Sequence, residues 1–273
     1  MKAISFNVNS IRTRLHQLTA VINTHSPDFI GLQETKVNDP DFPLQTIQEL
    51  GYHVEFFGQK THYGVALLSK YPFKKVIKGF PTDVDDAQRR FIGGVFETPL
   101  GEITIYNGYF PQGESRDHAV KFPAKRKFYA DLIDYIEKSE SPDKQLIVMG
   151  DMNISHQDLD IGIGEANRKR WLKTGKCSFL PEEREWLDNL LAWGLKDSFR
   201  EHHPDVCDLF SWFDYRSGGF EDTPKRGLRI DLILLTKSLQ EKCIASGIDY
   251  DVRAMERPSD HCPVWVEFNK SAN

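Results

Sequence analysis

Cysteine is scarce in this 273-residue sequence: Cys177, Cys207, Cys243 and Cys262 stand far apart and form no CxxC pair. Such spacing signals neither a zinc site nor a disulfide framework, and free thiols in a reducing compartment are expected. Long apolar runs are missing too; none approaches the ~18 residues a membrane span would need. The N-terminus MKAISFNVNS has one lysine and lacks the apolar core of a secretory signal. These absences point to a cytoplasmic protein without membrane contact, and they leave the glycosylation-like tripeptide NIS at Asn153 without meaning. A basic balance is lacking as well, since 35 Lys and Arg face 40 Asp and Glu, for a formal net charge of -5. That does not advertise a nucleic-acid binder, but charges act over only ~8 Å at physiological salt, so a local patch outweighs the total. Basic clusters occur in KFPAKRKFY from Lys121, RKRWLKTGK from Arg168 and PKRGLRID from Pro224, each of which reads, taken singly, as a solvated face.

Several catalytic signatures are absent. GxSxG does not occur, and GESRD at Gly113 fails at its last position, which removes the usual serine-hydrolase arrangement. Neither HExxH nor paired Cys and His ligands appear among the nine histidines, which removes the common zinc hydrolases. GIGEAN at Gly162 lacks the third glycine of a dinucleotide fingerprint and follows no strand directly, so it reads as a loop.

What is present is enough apolar sequence for a large core: 40% hydrophobic residues, in a chain long enough to bury roughly three quarters of its unfolded surface. Strand-like runs dominate: KAISFNV, DFIGLQE, YHVEFFG, GVALLSK, FIGGVFET, EITIYNGYF, QLIVMGD, LRIDLILL and PVWVEF. Helical stripes appear in RTRLHQLTAVINTH and KRKFYADLIDYIEK, while PEEREWLDNLLAWG opens on Pro and acids and closes on Gly. Several strands follow one another without a helix between them, so a plain alternating sheet is excluded. The expectation is a mixed α/β class with two mixed sheets packed face to face and helices outside. No linker or composition break interrupts residues 1–273, and one domain is expected.

The apolar strands repeatedly end in carboxylates or carboxamides: Asn7 and Asn9, Glu34, Asn107, then Asp151 and Asn153. Asp231 lies inside LRIDLILL, and Asp260 with His261 precedes PVWVEF. Each alone passes for a strand cap or turn former. Together they are harder to dismiss, because polar groups at the mouth of a core cost several kcal/mol unless partnered. Asp231 in particular wants a cation, for which His261 is a candidate. The Asp260-His261 pair itself reads as part of a triad, as metal ligands, as the phosphate end of a hydrolase, or as a strand cap. With serine and zinc chemistry set aside, oxygen donors with a histidine to spare suit Mg²⁺ or Mn²⁺ and phosphoester hydrolysis.

The ordered set LQETK, NGYFPQG, GDMNI, FSWFDYR, LRIDLIL and PSDHCPVW resembles the exonuclease III family of DNA-repair nucleases, within the endonuclease/exonuclease/phosphatase superfamily. The likeness runs from Ser5 to about Phe268. It implies a four-layer αββα sandwich with the active site at one end of the sheets. It also implies a Mg²⁺-dependent phosphodiesterase, Mn²⁺ being a possible substitute, that acts on double-stranded DNA 5′ to abasic sites and at 3′ ends. Carried over by position, Glu34 would be the principal metal ligand, with Asn7 beside it and Asp260 on the metal side. His261, held by Asp231, would bind the phosphate or move a proton. Asp151 and Asn153 would position water, stabilise the transition state or protonate the leaving oxygen. Tyr109 would touch the phosphate, with Asn107 and Gln112 near it. Trp212 and Leu228 would wall an apolar pocket for a flipped, baseless sugar, with Phe210 and Phe213 in support. Arg89, Arg90, Arg216 and RKRWLKTGK would meet the DNA backbone.

Two departures from the family pattern stand out. Ser10 occupies a turn position that more often holds glycine, and the loop GGFEDTPKRG between Trp212 and Leu228 is about two residues longer than usual. Other readings are a relative acting on phosphoinositides, sphingomyelin or undamaged DNA, which would lack FSWFDYR, and a non-catalytic DNA-binding member, which would lose metal or proton-transfer residues. Nothing requires more than a monomer. Affinity for duplex DNA is expected to fall as salt rises, with a log-log slope of about 0.9 per phosphate contacted. A binding titration across salt concentrations checks this, and a salt-independent affinity would overturn it.

Overall fold

The inner strands are apolar at successive positions rather than alternate ones, because both of their faces are covered. The structure, a computed structural model, describes residues 1–269, and twelve strands among them form two six-stranded sheets. The first sheet holds β1 (Lys2–Asn7), β2 (Phe29–Gln33), β3 (His53–Phe57), β4 (Val65–Ser69), β11 (Cys243–Ile248) and β12 (Val264–Phe268), in the order β11-β12-β1-β2-β4-β3. The second holds β5 (Phe73–Lys78), β6 (Phe91–Thr98), β7 (Gly101–Tyr109), β8 (Leu146–Asp151), β9 (Leu195–Asp197) and β10 (Asp231–Thr236), in the order β5-β6-β7-β8-β10-β9. Each sheet has one parallel pair at its centre, β1 with β2 and β7 with β8, flanked by antiparallel neighbours.

Helices α1 (Leu15–His25) and α2 (Leu44–Glu49) cover the first sheet, and α3 (Lys121–Ser139) and α5 (Pro181–Trp193) cover the second. α4 (Glu165–Thr174) lies between α3 and α5 in the chain and carries most of RKRWLKTGK. Among the described residues three short helices follow: α6 (Ser198–His202), α7 (Lys237–Gln240) and α8 (Tyr250–Arg253). No helix among the described residues is long and apolar enough to cross a membrane. The glycine stop read in PEEREWLDNLLAWG acts as expected, α5 ending at Gly194, while α1 ends at Ser26 in the left-handed conformation.

Three packed layers of side chains hold the four layers of backbone together. In β8, Ile147 and Met149 join the core between the sheets, whereas Leu146 and Val148 pack under α3 and α5. In β1, Ala3 faces the other sheet while Ile4 and Phe6 face α1. The four-layer sandwich is therefore a direct outcome of two-sided burial, with each leucine-sized side chain contributing about 1.5–3 kcal/mol.

The inter-sheet faces are apolar along most of their length and polar at one end. Strand parity carries Ser5 and Asn7 of β1, Gln33 of β2, Asn107 of β7, Asp151 of β8 and Asp231 of β10 onto this shared inner face. Asn107 is fully buried. Its Nδ2 donates across to the Leu32 and Ala66 carbonyls of the first sheet, 3.0 Å each, and its Oδ1 accepts from Gln33 Nε2 at 2.6 Å. Gly31 permits this approach, since a Cβ there would lie 2.7 Å from Asn107 Oδ1.

Asn107 thus ties the sheets together beneath the polar end rather than lining it. Asn107→Ala removes three buried hydrogen bonds, so it should lower stability by about 2–4 kcal/mol. Denaturant melts check the loss; a stable variant with impaired DNA binding would instead place Asn107 on the substrate.

Candidate active site

Both parallel pairs run toward the same end of the sandwich, and the chain leaves them there with its polar residues in hand. The register sets Tyr109 beside Asp151, and Asp151 opposite Asp231. Gly150 allows β8 to pass close to β7: at φ +151°, a Cβ would lie 1.9 Å from the Gly108 carbonyl oxygen. Beyond the strands, Asn9, Ser10, Glu34, Lys36 and Asn153 all take positive φ, a strained choice for residues with side chains. Ser10, at φ +91°, occupies the backbone region that explains a glycine preference at that turn.

The carboxylates meet through Asn7. Its Nδ2 donates to Glu34 Oε1 and to Asp151 Oδ2, 2.9 Å each. Lys36, in the same LQETK segment as Glu34, reaches Glu34 Oε2 at 2.8 Å and also donates to Asn9 Oδ1. On the far side, His261 Nδ1 meets both oxygens of Asp231, at 3.0 and 2.9 Å, while its Nε2 lies 3.7 Å from Asp151 Oδ2. Asp260 turns the other way. Its oxygens accept from Asn9 Nδ2 at 2.8 Å and from Trp212 Nε1 at 3.1 Å.

A cleft of about 420 Å³ opens over this group. Glu34, Tyr109, Asp151, Asn153, Asp260 and His261 line its polar side, and Gln112 and Arg216 stand at the same opening. Trp212, Leu228 and Ile230 give it an apolar side. Trp212 forms backbone bridges to both Leu228 and His261, so the apolar wall is built directly onto the histidine. Of the remaining residues singled out in the sequence, Asn7, Asp231 and Asn107 lie behind the lining. Phe213 is fully buried in a separate cluster with Phe210 and Phe220, whereas Trp212 packs with Leu228. Arg90 stacks between Tyr63 and Tyr109, its guanidinium 4.2 and 4.5 Å from the ring centres, and supports Tyr109 from outside the cleft.

One cation in each of two basic clusters departs from the solvated face expected of it. Arg229 of PKRGLRID is buried and pairs with Asp160 at 2.7 Å and Asp197 at 2.6 Å, while Arg200 also bonds Asp160. This cluster anchors the segment that carries Leu228 and Asp231. Lys125 of KFPAKRKFY has no exposed surface at all. Trp171 and Lys176 of RKRWLKTGK also line the cleft, and Lys36, Ser178 and Asp214 are at the site although they had no assigned place. Lys36 was within reach of sequence reasoning, as the cation next to LQE; Ser178 and Asp214 carried no signal.

The donor set fits a metal ion. Oxygens of Glu34 and Asp151 and a nitrogen of His261 lie within 4.8 Å of one another, and carboxylates outnumber cations around them. Such oxygen-rich sets suit hard divalent cations.

The pattern of the Endonuclease/Exonuclease/phosphatase family matches residues 4–261. The chain belongs to this family. It is 60% identical to exodeoxyribonuclease III of Haemophilus influenzae over 268 residues, covering 98% of this chain and all of that one. The exodeoxyribonuclease of Bacillus subtilis is 32% identical across 98% of the chain and all of that protein. Among solved structures, an AP endonuclease from Archaeoglobus fulgidus superposes with a TM-score of 0.89 at 32% identity, covering 98% of this chain and 99% of that one. A 3′-5′ exonuclease from Neisseria meningitidis gives 0.88 at 35%, covering 98% of this chain and all of that one. The four-layer sandwich is the fold of these relatives, and the chain is, like them, a phosphoester hydrolase of the nuclease kind.

In this family member the electrostatics of the cleft are set by desolvation. Burial, reinforced by Asp231 and Glu34, pushes the Asp151 carboxyl up to about 7 against the pull of His261 and Asn7. Burial disfavours a charged His261, but Asp231 and then Asp151 outweigh it and raise the imidazole to about 10. Burial and the Glu34 charge keep Tyr109 protonated. Asp151 and His261 both bind protons more tightly folded than unfolded, so without metal their stabilisation is greatest at acid pH. The contribution of Asp151 fades between the ordinary carboxylate value of 3.8 and about 7, and that of His261 between 6.5 and about 10. In EDTA, the melting temperature of Asp151→Asn relative to wild type should therefore climb from about pH 5 to about pH 7 and level off above it. A gap that stays constant across that range would mean that Asp151 is not strained by burial.

Proposed function

We propose that the protein is a divalent-metal-dependent DNA-repair phosphodiesterase that cuts duplex DNA 5′ to abasic sites, and that it also removes nucleotides and blocking groups from 3′ ends. The observation that carries this reading is the Glu34-Asp151-His261 cluster set against an apolar wall of Trp212 and Leu228. Phosphodiester cleavage needs the first, and selection of a sugar without its base suits the second. A second reading, action mainly on 3′ ends, is favoured by likeness to the Neisseria 3′ phosphatase bound to a product DNA hairpin, at 35% identity. We read residues 1–273 as one catalytic domain acting as a monomer. On the strength of the bacterial relatives, we place it in the cytoplasm with the nucleoid.

Glu34 would hold the cation, Mg²⁺ or in its place Mn²⁺, with Asn7 and Asp260 on the same side. When bound, the cation neutralises charge that builds on the phosphate oxygens. His261 is kept as an imidazolium by Asp231 and turns Nε2 to the phosphate, where an N–H donor is worth most in the transition state. Because His261 is already protonated, Asp151 is the better general base toward the attacking water, with a proton affinity near neutrality. Asn153 orients that water, and the Tyr109 hydroxyl donates to a non-bridging oxygen. Trp212 and Leu228 exclude water from the sugar, and Phe213 supports them. Gln112, Arg90 and Arg216 steer the backbone, and Asn107 acts from below by holding the sheets.

The test offers the enzyme a duplex with one abasic analogue, an undamaged duplex with a recessed 3′ end, and a 3′-phosphate end, each with and without EDTA. Cleavage of all three and its loss in EDTA are expected; EDTA-resistant cleavage would refute the metal. Glu34→Ala should raise the metal concentration required. Asp151→Asn and His261→Asn should each cut turnover by about 10²–10⁴-fold while duplex binding is retained.

A further inference from the structure

Lys125 of α3 and Glu183 of α5 form an ion pair, 2.5 Å apart, in which neither side chain has exposed surface. Two charges removed from water persist only where every remaining donor and acceptor is used. Here they are used on main chain. The three ammonium protons of Lys125 face Glu183 Oε1, the Asn153 carbonyl at 2.8 Å and the Gln112 carbonyl at 3.3 Å. Glu183 Oε2 accepts from the backbone N–H groups of Ser178 at 2.9 Å and Leu180 at 2.8 Å.

Gln112, Asn153 and Ser178 belong to three separate loops, and all three line the cleft. The loops are stitched to one another above the pair, Ser155 N to Ser178 O at 2.7 Å and Cys177 N to Glu114 O at 3.1 Å. Gly113 packs directly on the pair, since a Cβ there would lie 3.0 Å from Lys125 Cδ. Asn153 has the most to lose. It holds a left-handed backbone, φ +54°, and its Nδ2 is spent on the Phe110 carbonyl at 2.9 Å. Only a fixed main chain keeps its Oδ1 available to the cleft. An apolar pair of the same size would join α3 to α5 equally well, but it would leave these carbonyls and N–H groups unbound.

We propose that Lys125 and Glu183 are positioning residues for turnover: they touch no substrate, and they hold Asn153 and the adjoining loops in the geometry the reaction needs. This rests on the phosphodiesterase reading of the cleft, and the two fail differently. If that reading is wrong, wild type does not cleave; if the positioning role is wrong, wild type cleaves and the variants match it.

The test is single-turnover cleavage of an abasic-analogue duplex by the double variant Lys125→Met/Glu183→Gln, which removes both charges and keeps an acceptor for the Ser178 and Leu180 N–H groups. The variant should melt cooperatively above the assay temperature and bind duplex DNA in EDTA within about threefold of wild type, yet cleave about 10–100-fold more slowly, as expected for a displacement of about 1 Å. Its effect should be non-additive with Asn153→Ala, because both changes remove the same contribution. A rate within twofold of wild type, full additivity with Asn153→Ala, or a rate loss matched by an equal loss of DNA binding would each overturn the proposal. Should the double variant not fold, Lys125→Arg keeps the charge pair but not the two carbonyl contacts. It should bind DNA normally and cleave at least about fivefold more slowly, and an unchanged rate would overturn the proposal as well.

Discussion

At the end of the sandwich, the Asn7 amide bridges the two sheets by donating to Asp151 on one and to Glu34 at the exit of the other, 2.9 Å to each. This contact depends on a packing constraint. Two sheets pressed together at an apolar face must become polar where solvent enters, and strand parity decides which residues are delivered there. The carboxylates are consequently desolvated and close to one another, which is why Asp151 is reluctant to ionise and His261 is reluctant to lose its proton. A site that is unfavourable when empty is one that a divalent cation stabilises. Stability is given up locally so that charge can be used chemically.

The same economy governs the buried ions away from the cleft. Arg229 is gripped by Asp160 and Asp197, and Lys125 by Glu183, and the Lys125 ammonium spends its remaining hydrogen bonds on loop carbonyls at the rim. Sheets and helices provide a rigid frame in which Tyr109, Asp151 and Asp231 occupy strand ends, while Glu34 and Asn153 sit on turns just beyond it at positive φ. Such turns keep one conformation only if something holds their main chain. Buried charged pairs do so with more direction than apolar contacts can.

Much of the fold was legible along the chain. The nine expected strands are present, because each is apolar enough to be covered on two faces or to end at the polar edge. The three strands not foreseen, β5, β9 and β11, are all at sheet edges, where one flank has no partner and few apolar residues are required. α4 was hidden by its polarity, since none of its residues is buried. The site residues were legible as polar interruptions of apolar strands, and Asp231 stood out because a lone carboxylate inside such a run is costly. Asn107 shows the limit of that signal: it ends an apolar strand like the others, yet it faces the opposite sheet and not the cleft.

By itself the sequence determined the strand content, the ordered motifs and the identity of the chemical groups, because these depend on local patterning and on which side chains can ligate or transfer protons. Only the tertiary structure decided which groups meet. His261 belongs with Asp231, thirty positions away, rather than with its neighbour Asp260, because successive side chains on extended backbone leave on opposite sides. Asp260 in turn bonds Asn9 and Trp212, joining the turn after β1 to the apolar wall. Likewise KFPAK and PKRGLRID look like surface charge in one dimension, and become internal clamps only when acids from distant segments close over Lys125 and Arg229. Burial is a property of the packed chain, and it converts a basic residue from a solvated group into a structural one.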